Sequence, residues 1–287
     1  MRILITGASG TIGRFLTARL AKEGHRMIAL GRKPVDDIAS GFSRYDLSDV
    51  APGLPVADAL IHCALHHEPG KFRGGEGQDP DLFRKLNVEG TTALFQAAKT
   101  AGCRRAVFLS SRAVYGDARR GETLVETDEP APDSLYGQVK LDGERALEEL
   151  ADARFSGVAL RVTGVYGVPP GTSEHKWSGV FEAFRTGEDI EPRCATEVHG
   201  DDLADAVSRV LQMDGNRFDV FNVSDLLLDR RDLLKLLSQH TGRQSNLPER
   251  ATPVPGVMDT SRLRQHGWQP GGLDRLMTFI DACRTMD

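Results

Sequence analysis

The sequence predicts a doubly wound α/β fold, in which helices cover both faces of a parallel sheet, with a small lobe in the C-terminal part. Short apolar segments alternate with helical patterns along the chain, an order typical of parallel strands joined by helices. The strand-like segments are continuously apolar, as expected of strands that are buried on both faces. A glycine-rich turn, TGASGTIG at residues 6–13, separates the first strand from the first helix.

The predicted elements follow one another in that order. Strands are predicted at residues 2–6, 25–30, 59–63, 106–110, 158–162 and 220–223, and helices at 12–23, 82–101, 136–150, 201–213 and 230–240. Doubly wound sheets bind ligands beyond the carboxyl ends of their strands. Functional side chains are therefore expected directly after the strands.

The composition excludes several classes of protein. The chain has 287 residues and a net charge of −5, without a basic stripe, so nucleic acid is not an expected partner. No apolar segment is long enough to span a bilayer, and the N-terminus lacks a signal-peptide pattern. Four scattered cysteines without a CxxC motif indicate reduced thiols and a cytoplasmic protein.

The turn at residues 6–13 carries Gly7, Gly10 and Gly13 in the spacing GxxGxxG. Glycines between a strand and a helix let backbone N–H groups approach a pyrophosphate at the positive end of the helix. A glycine-rich turn without a ligand is the alternative. The position between the first strand and a helix favours a dinucleotide site, with Ser9, Thr11 and Ile12 as further contacts.

The end of the second strand, ALGRKP, carries Arg32 where an NAD site usually has an acidic residue. An arginine would pair with the 2′-phosphate of NADP, so NADP is favoured modestly over NAD. The alternative is that Arg32 and Lys33 are solvated loop charges. In YDLSD, residues 45–49, Asp46 is a candidate for the adenine amino group, with Leu47 beside it, or it is an ordinary turn aspartate.

Tyr136 and Lys140 in YGQVK lie four residues apart, on one face of a predicted helix. A phenol titrates near pH 10, but a nearby ammonium and an oxidised nicotinamide would favour the phenolate. Tyr136 could then exchange a proton with a substrate oxygen while hydride moves to or from the cofactor. On its own, the pair is equally compatible with an ordinary exposed helix.

Further motifs strengthen this interpretation. They are DALIHCA at 58–64, NVEGT at 87–91, FLSSRAVYG at 108–116, LRVTGVYG at 160–167, VHGDDLADAV at 198–207, FNVSD at 221–225 and HGWQP at 266–270. Together with the glycine loop and YGQVK, they resemble the extended short-chain dehydrogenase/reductase family, the NAD-dependent epimerase/dehydratase group. The resemblance covers nearly the whole chain, and it does not identify a substrate.

The resemblance implies roles for individual residues. Ser111 would position the substrate oxygen, Tyr136 would be the general acid/base, and Lys140 would lower the pKa of that tyrosine and bind the nicotinamide ribose. Asn87 would lie near the site. Segments expected beside the cofactor or the nicotinamide end contain Cys63, Ala64, Val162 and Tyr166. A Rossmann domain is expected at 1–165 plus 196–224, and a substrate lobe at 166–195 plus 225–287, where Pro and Gly become frequent.

Three departures from the family's patterns bear on the substrate. Arg112 and Ala113 stand where sugar-nucleotide dehydratases carry Asp-Glu, so dehydration is not expected. Residues 195–197 lack the arginine that clamps a diphosphate in many nucleotide-sugar epimerases, and Glu197 adds a carboxylate there, although Arg193 could substitute. The segment from 165–167 to 198–200 is short for a nucleotide sugar. Together these departures favour a smaller sugar-like or sugar-acid substrate.

Other candidates for substrate contact lie in two loops. The loop at 66–80 could fold over the substrate, with Leu65 and His66 at its start. His175 and Trp177 lie in SEHKW at 173–177, where they could touch the substrate or be ordinary residues at the start of a helix. Arg112 could bind a carboxylate, although a structural salt bridge is the favoured role. No metal site is expected, because no acidic pattern accompanies the histidines near residue 66.

The leading hypothesis is an NAD(P)-dependent oxidoreductase that acts on a secondary alcohol or ketone of a small sugar-like substrate. An epimerase without net redox change, possibly on a nucleotide sugar, is the first alternative. A non-catalytic protein that binds dinucleotide as a regulatory signal is the second. The resemblance also implies a homodimer formed through the helices at 82–101 and 136–150.

Overall fold

We describe the fold from a computed structural model. It describes residues 1–35, 40–68, 71, 74–214, 217–242 and 246–284.

Twelve strands occur in the described residues. They are β1 (Arg2–Thr6), β2 (Arg26–Gly31), β3 (Gly41–Arg44), β4 (Ala59–His62), β5 (Arg105–Ser111), β6 (Thr123–Leu124), β7 (Ser156–Val162), β8 (Gly164–Tyr166), β9 (Cys194–His199), β10 (Phe218–Val223), β11 (Leu226–Asp229) and β12 (Val257–Met258). Seven of them form a parallel sheet in the order β10-β7-β5-β4-β1-β2-β3. β11, β9 and β8 form a second sheet, and β12 pairs with β6.

The helices cover both faces of the large sheet. They are α1 (Thr11–Lys22), α2 (Pro80–Thr100), α3 (Leu135–Leu150), α4 (Ser178–Thr186), α5 (Gly200–Gln212), α6 (Arg230–Thr241), α7 (Ser261–Gln265) and α8 (Gly272–Arg284), with a 3-10 turn at Arg112–Tyr115. α1 packs with α5, and α2 packs with α3. Along β1, Ile3 and Ile5 join one core and Leu4 joins the other, because successive side chains point to opposite faces.

These observations confirm the predicted doubly wound fold. The six predicted strands and five predicted helices are present, with ends shifted by one or two residues. β3 was missing from the predicted strands because its sequence, GFSR, mixes polar and apolar residues at an edge of the sheet. The short strands and helices after residue 163 were also not predicted, apart from β10, α5 and α6.

A third core lies in the part of the chain assigned to the lobe. It joins side chains of α4, α6 and α8, including Phe181, Leu234 and Phe279, with Tyr166 of β8. The exact boundaries of the two domains stay a prediction. None of the helices in the described ranges combines the length and the apolar character that a membrane crossing requires.

Candidate active site

The glycine-rich loop leaves the N-terminus of α1 open at the edge where β1 ends. Gly7 has a φ of 68°, which glycine adopts without strain. A Cβ at Gly13 would overlap the carbonyl oxygen of Gly7, so glycine lets the helix start this close to the loop. The N-cap residue, Gly10, supplies no side chain to the first N–H groups. These groups, beside exposed Ser9 and Thr11, can therefore receive a pyrophosphate.

One arginine that the sequence did not single out connects this loop to the lobe segment. Arg14 donates from Nε to the carbonyl oxygen of Ser9 and from Nη1 to that of Pro170, both over 3.1 Å. Ile12, a predicted cofactor contact, is partly buried and packs against the core instead of standing free in the loop. Arg14 thus spans from the glycine loop to the chain that follows β8.

The segment after β4 is held beside the glycine loop by a buried network. Thr6 Oγ1 accepts hydrogen bonds from the N–H groups of Cys63 and Ala64, both over 3.1 Å. Its lone pairs are then used, so its proton points to His62 Nδ1, 2.7 Å away. His62 Nε2–H therefore donates to Thr91 Oγ1 over 2.9 Å. Burial lowers the pKa of His62 to about 3, in keeping with this neutral imidazole.

Asn87 fixes the next residues of the same segment. Its Oδ1 accepts from the N–H of His66 over 2.7 Å, and its Nδ2 donates to the carbonyl oxygens of His66 and Phe83, both over 2.9 Å. The buried amide therefore holds the backbone and leaves little capacity for a ligand. Leu65 and His66 remain partly or fully exposed at this edge, while residues 69–70 and 72–73 of the predicted substrate loop lie outside the described residues.

The two serines at the end of β5 point to opposite sides of the sheet. Ser110 donates to the carboxylate of Glu144, whereas Ser111 accepts from the N–H of Ala113 over 3.1 Å and caps the 3-10 turn. Val162, a predicted neighbour of the nicotinamide, is the partner of Ser111 in the parallel register of β5 and β7. This alternation fits the assignment of the catalytic role to Ser111 and not to Ser110.

Close packing of α3 brings the tyrosine to the serine. A Cβ at Gly137 would overlap the carbonyl oxygen of Ala113, so glycine directly after Tyr136 lets α3 touch the turn that follows Ser111. Ser134 caps this helix by accepting from the N–H of Gly137 over 3.2 Å. Tyr136 is partly buried at the first turn. The side chains that the resemblance groups together therefore occupy one edge of the sheet.

Lys140 lies one turn further along α3, fully within this packing. Its Nζ donates to the carbonyl oxygen of Leu109 over 2.8 Å and lies 5.0 Å from the ring centre of Phe108 and 5.9 Å from that of Tyr136. Burial lowers the pKa of Lys140 to about 8, while Cys63 and Glu144 act in the opposite direction. The ammonium is thus held near the tyrosine ring, one helical turn away from it.

A buried ion pair, which was not predicted from the sequence, supports the turn that carries Ser111. Glu144 binds Arg161 through Nε at 3.1 Å and Nη2 at 2.8 Å and also accepts from Ser110. The guanidinium lies 4.8 Å from the ring centre of Tyr115, whose hydroxyl donates to Asn222 Oδ1 over 2.8 Å. These hydrogen-bonded polar groups fill the space beneath the 3-10 turn that follows Ser111.

The predicted adenosine end of the site is more open. The Arg32 side chain is 82% exposed, and its Nε lies 4.0 Å from Asp46 Oδ2. Asp46 Oδ1 accepts from the N–H of Ser48 over 3.0 Å and from its hydroxyl over 2.7 Å. Asp46 is therefore the acceptor of its own turn, the alternative left open by the sequence, with partly buried Leu47 beside it.

Three predicted substrate contacts lie in the aromatic core of the lobe. Tyr166 is wholly buried and stacks on Trp177 with ring centres 5.0 Å apart. His175 lies 5.2 Å from the ring centre of Phe181 and 5.0 Å from that of Phe279. Packing accounts for these three side chains, and the structure does not support their predicted contact with substrate. Trp177 lies at the start of α4, as the alternative of ordinary helix-start residues expects.

The arginines predicted at the substrate site differ in their surroundings. Arg112 donates to the carbonyl oxygen of Gly256 over 3.1 Å and pairs with Asp117 at 3.3 Å, the structural role that the sequence favoured. Arg193 is exposed just before β9. Within the described ranges, no group of three or more His, Cys, Asp or Glu side chains is arranged to hold a metal ion.

Glu197 does not present the bare carboxylate that the sequence implied. It is 3% exposed, and the ammonium of Lys176 contacts both its oxygens, at 2.6 Å to Oε1. A Cβ at Gly164 would overlap both charged groups, so the pair fills the space over this glycine. Burial lowers the pKa of Lys176, as do the nearby charges of Arg193 and Arg230, against the attraction of Glu197.

The NAD dependent epimerase/dehydratase family matches residues 3–224. The chain belongs to this family. Its glycine loop, Ser111, Tyr136 and Lys140 all fall within the matched residues. The predicted membership and the predicted α/β fold are confirmed, and the prediction of an enzyme of this kind is confirmed at the level of the family.

Proteins similar to this chain include a sugar dehydrogenase and epimerases. A dTDP-6-deoxy-L-talose 4-dehydrogenase (NAD(P)(+)) of Kitasatospora kifunensis is 32% identical over 192 residues, 63% of this chain and 57% of that protein. A UDP-glucose 4-epimerase of Yersinia pestis is 28% identical over 186 residues, 59% of this chain and 55% of that protein. The chain thus spans about half the length of these curated relatives.

A solved structure is similar over almost the entire chain. MoeE5, in complex with UDP-glucuronic acid and NAD, is 27% identical, with a TM-score of 0.83 and 99% of each chain covered. The two chains therefore have nearly the same length and the same arrangement of sheet and lobe.

Proposed function

We propose that this protein is an NAD(P)-dependent oxidoreductase that interconverts a secondary alcohol and a ketone of a sugar-like compound. One observation carries the proposal. The packing of Gly137 on the carbonyl of Ala113 places the N-terminus of α3, with Tyr136 and Lys140, against the turn that Ser111 caps. This set lies at the edge of the sheet where the glycine loop leaves a helix N-terminus open.

The roles of these side chains follow from their surroundings. When bound, the nicotinamide supplies the hydride acceptor or donor. Tyr136 exchanges the proton of the substrate hydroxyl, and the ammonium of Lys140 favours its phenolate form. Ser111 orients the same substrate oxygen through its hydroxyl. The buried pair of Glu144 and Arg161 keeps the turn that carries Ser111 in place.

An epimerase that oxidises and re-reduces one carbon is the second candidate. It is favoured by the similarity to the epimerase of Yersinia pestis. The argument from a short lobe against nucleotide sugars loses its force, because MoeE5, a chain of nearly equal length, is described with UDP-glucuronic acid. A nucleotide sugar therefore stays among the candidate substrates of this chain.

Cofactor choice, assembly and location complete the proposal. NADP is favoured because Arg32 is exposed at the end of β2 and can pair with a 2′-phosphate. We expect a homodimer through α2 and α3, whose outer faces share the Arg84–Asp142 ion pair at 2.9 Å and include Leu82, 42% exposed. A cytoplasmic location is proposed because the four cysteines are scattered along the chain without a CxxC motif.

The test is an absorbance assay at the reduced-nicotinamide band with NAD and NADP in parallel. The substrates are free sugars, sugar acids and nucleotide sugars, each offered in the alcohol and ketone form. Turnover that is lost in Tyr136→Phe supports the oxidoreductase. Silence with a change in product stereochemistry identifies the epimerase. Tight cofactor binding without either activity would support the regulatory alternative and overturn the proposal.

A further inference from the structure

We propose that Lys176, held by Glu197 and flanked by Arg193 and Arg230, forms a subsite that binds a negatively charged group of the substrate, a carboxylate or a phosphate. This inference rests on the proposed function, since it assigns a substrate class to the same cleft. It also reverses an expectation from the sequence, which took Glu197 as evidence against an anionic substrate.

The first step is the position of the pair relative to the catalytic serine. Val162 is the register partner of Ser111, and Gly164 follows two residues later at the start of β8, roughly 7 Å along an extended chain. The ammonium of Lys176 and the carboxylate of Glu197 lie directly over Gly164. Residues 163–165 are partly exposed, unlike the buried residues on either side. The pair therefore borders the cleft that begins at Ser111.

The second step is the unequal exposure of the two partners. The side chain of Glu197 is 4% exposed, whereas that of Lys176 is 27% exposed. An ammonium has three N–H donors, and Glu197 occupies at most two of them with its two contacts. At least one N–H of Lys176 is thus left on the side that solvent reaches. The carboxylate fixes the ammonium in place while the outward side remains positive.

The third step is the local balance of charge. Arg193 directly precedes β9 and Arg230 directly follows β11, so the antiparallel ladder of these strands places them side by side, with the N–H of Arg230 on the carbonyl oxygen of Arg193 at 2.7 Å. Within the described residues, neither guanidinium has a carboxylate partner. Their charges act on Lys176 and on one another. The charge of Glu191 also acts on Arg230, so three cations face two carboxylates, and the one remaining positive charge could be neutralised by an anion.

The chemistry of the subsite fits a group remote from the reacting carbon. A sugar acid would place its carboxylate near Lys176 with its hydroxyl at Ser111, and a sugar phosphate or nucleotide sugar would place a phosphate there. Hydrogen bonds to a charged partner are typically worth a factor of about 10–100 in affinity. We expect the subsite to act mainly on substrate binding, since Lys176 does not contact the reacting oxygen.

The first experiment measures binding without turnover, so its outcome does not depend on the reaction assigned to the cleft. Calorimetry with the cofactor-loaded protein compares glucuronate, UDP and glucose. Glucuronate binding more tightly than glucose identifies a carboxylate site, and tighter binding of UDP identifies a phosphate site. If neither anion binds more tightly than glucose, the inference is overturned.

Variants then assign the effect to Lys176. Lys176→Met together with Glu197→Gln removes the cation without leaving an unpaired buried carboxylate, and Lys176→Arg retains the charge. We expect the double variant to weaken the preferred anion about 10- to 100-fold and leave glucose unchanged, while Lys176→Arg retains most of the preference. Lys22→Met, at the far end of α1, is the matched control. An unchanged anion preference in the double variant would refute the assignment.

Once a substrate that turns over is known, KM and kcat can be measured for the same variants and compared with the wild type. The KM for the charged substrate should rise about as much as the Kd does, with kcat changed less than about threefold. A fall in kcat with no change in KM would mean that Lys176 supports the reacting atoms or the fold and not an anion subsite.

Discussion

Two buried carboxylates, Glu144 beneath the turn that follows Ser111 and Glu197 over Gly164, are paired in different ways. On the sheet side, Glu144 is enclosed with Arg161, whose side chain is 5% exposed, and Ser110 takes further bonding capacity. On the lobe side, Glu197 is equally buried, but its partner Lys176 is 27% exposed. An ion pair that is enclosed on both sides stabilises a turn, whereas a pair whose cation is partly exposed can still receive a ligand. The two pairs therefore differ in how deeply the cation is buried, and this difference decides whether a ligand can reach it.

The largest effect is expected from a change at Tyr136, which is proposed to act in the reaction and not in substrate binding. Tyr136→Phe removes the proton-transferring hydroxyl, so kcat should fall about 10²- to 10⁴-fold, while the Kd values of cofactor and substrate stay within about threefold of wild type. Stopped-flow kinetics and calorimetry measure the two quantities. Turnover within tenfold of wild type would show that another group moves the proton.

The next largest effect is expected from removing the cation of the buried Glu144–Arg161 pair. Arg161→Met leaves Glu144 as an uncompensated buried charge, and the free energy of unfolding should fall by about 3–5 kcal/mol. Lys176→Met also leaves a buried carboxylate, Glu197, but the charge of Arg193 still acts on that carboxylate, so the loss of stability should be smaller. Urea denaturation of both variants provides the measurement.

The control for this comparison is Arg161→Met combined with Glu144→Leu, which removes both charges. This double variant should recover much of the lost stability. Equal losses for Arg161→Met and Lys176→Met would contradict the distinction between an enclosed and an open pair.

Lys140 is a third kind of buried cation, since its Nζ donates to a backbone carbonyl. Its pKa in the folded protein is lowered to about 8, below the unfolded value of about 10.4. Between these pH values the unfolded chain binds more protons, so the stability contributed by this group rises with pH and is lost as pH falls through about 8. Replacing Lys140 by Met should remove that dependence.

Lys140→Met should therefore be more stable than wild type at pH 7, by up to roughly 3 kcal/mol, and the difference should shrink as pH rises to about 10. Denaturant midpoints at both pH values give the comparison, and other titrating groups cancel between the two proteins. A difference that grows with pH would have the wrong sign for a buried ammonium.

The smallest effect is expected at the exposed end of the cofactor site. Arg32→Ala should raise the KM for NADP about 3- to 10-fold and leave that for NAD unchanged, because the solvated guanidinium forms a screened pair with a 2′-phosphate. Lys33→Ala serves as the neighbouring control. Equal changes for both cofactors would assign Arg32 to the loop and not to the phosphate.

The sheet side of the site was largely predictable, since its residues are tied to local patterns. Continuous apolar runs predicted six of the seven strands of the large sheet, and the spacing of Tyr136 and Lys140 follows from a single helix. Local sequence determines these two features directly. The choice of Ser111 over Ser110 came from the resemblance to the family, and the alternation along β5 agrees with it.

The lobe side was less predictable because its contacts join distant segments. Lys176, Glu197 and Gly164 come from a loop and two separate strands, and no spacing rule brings them together. The sequence shows the carboxylate of Glu197 but not its pairing with Lys176, so a bare carboxylate was expected. Trp177 and His175 were candidates either for substrate contact or for ordinary helix-start residues, and Phe279, which both rings contact, lies far along the chain in α8.

Arg14 donates to the carbonyl of Ser9 in the glycine loop and to that of Pro170 beyond β8. One side chain therefore restrains two segments, of which only the glycine loop is proposed to bind a dinucleotide. Ordering of either segment reduces the conformational entropy that the other still has to lose, which is a source of positive cooperativity without a change of shape. Occupation of the glycine loop should accordingly make the chain around Pro170 more rigid, so that cofactor and sugar bind with mutual benefit.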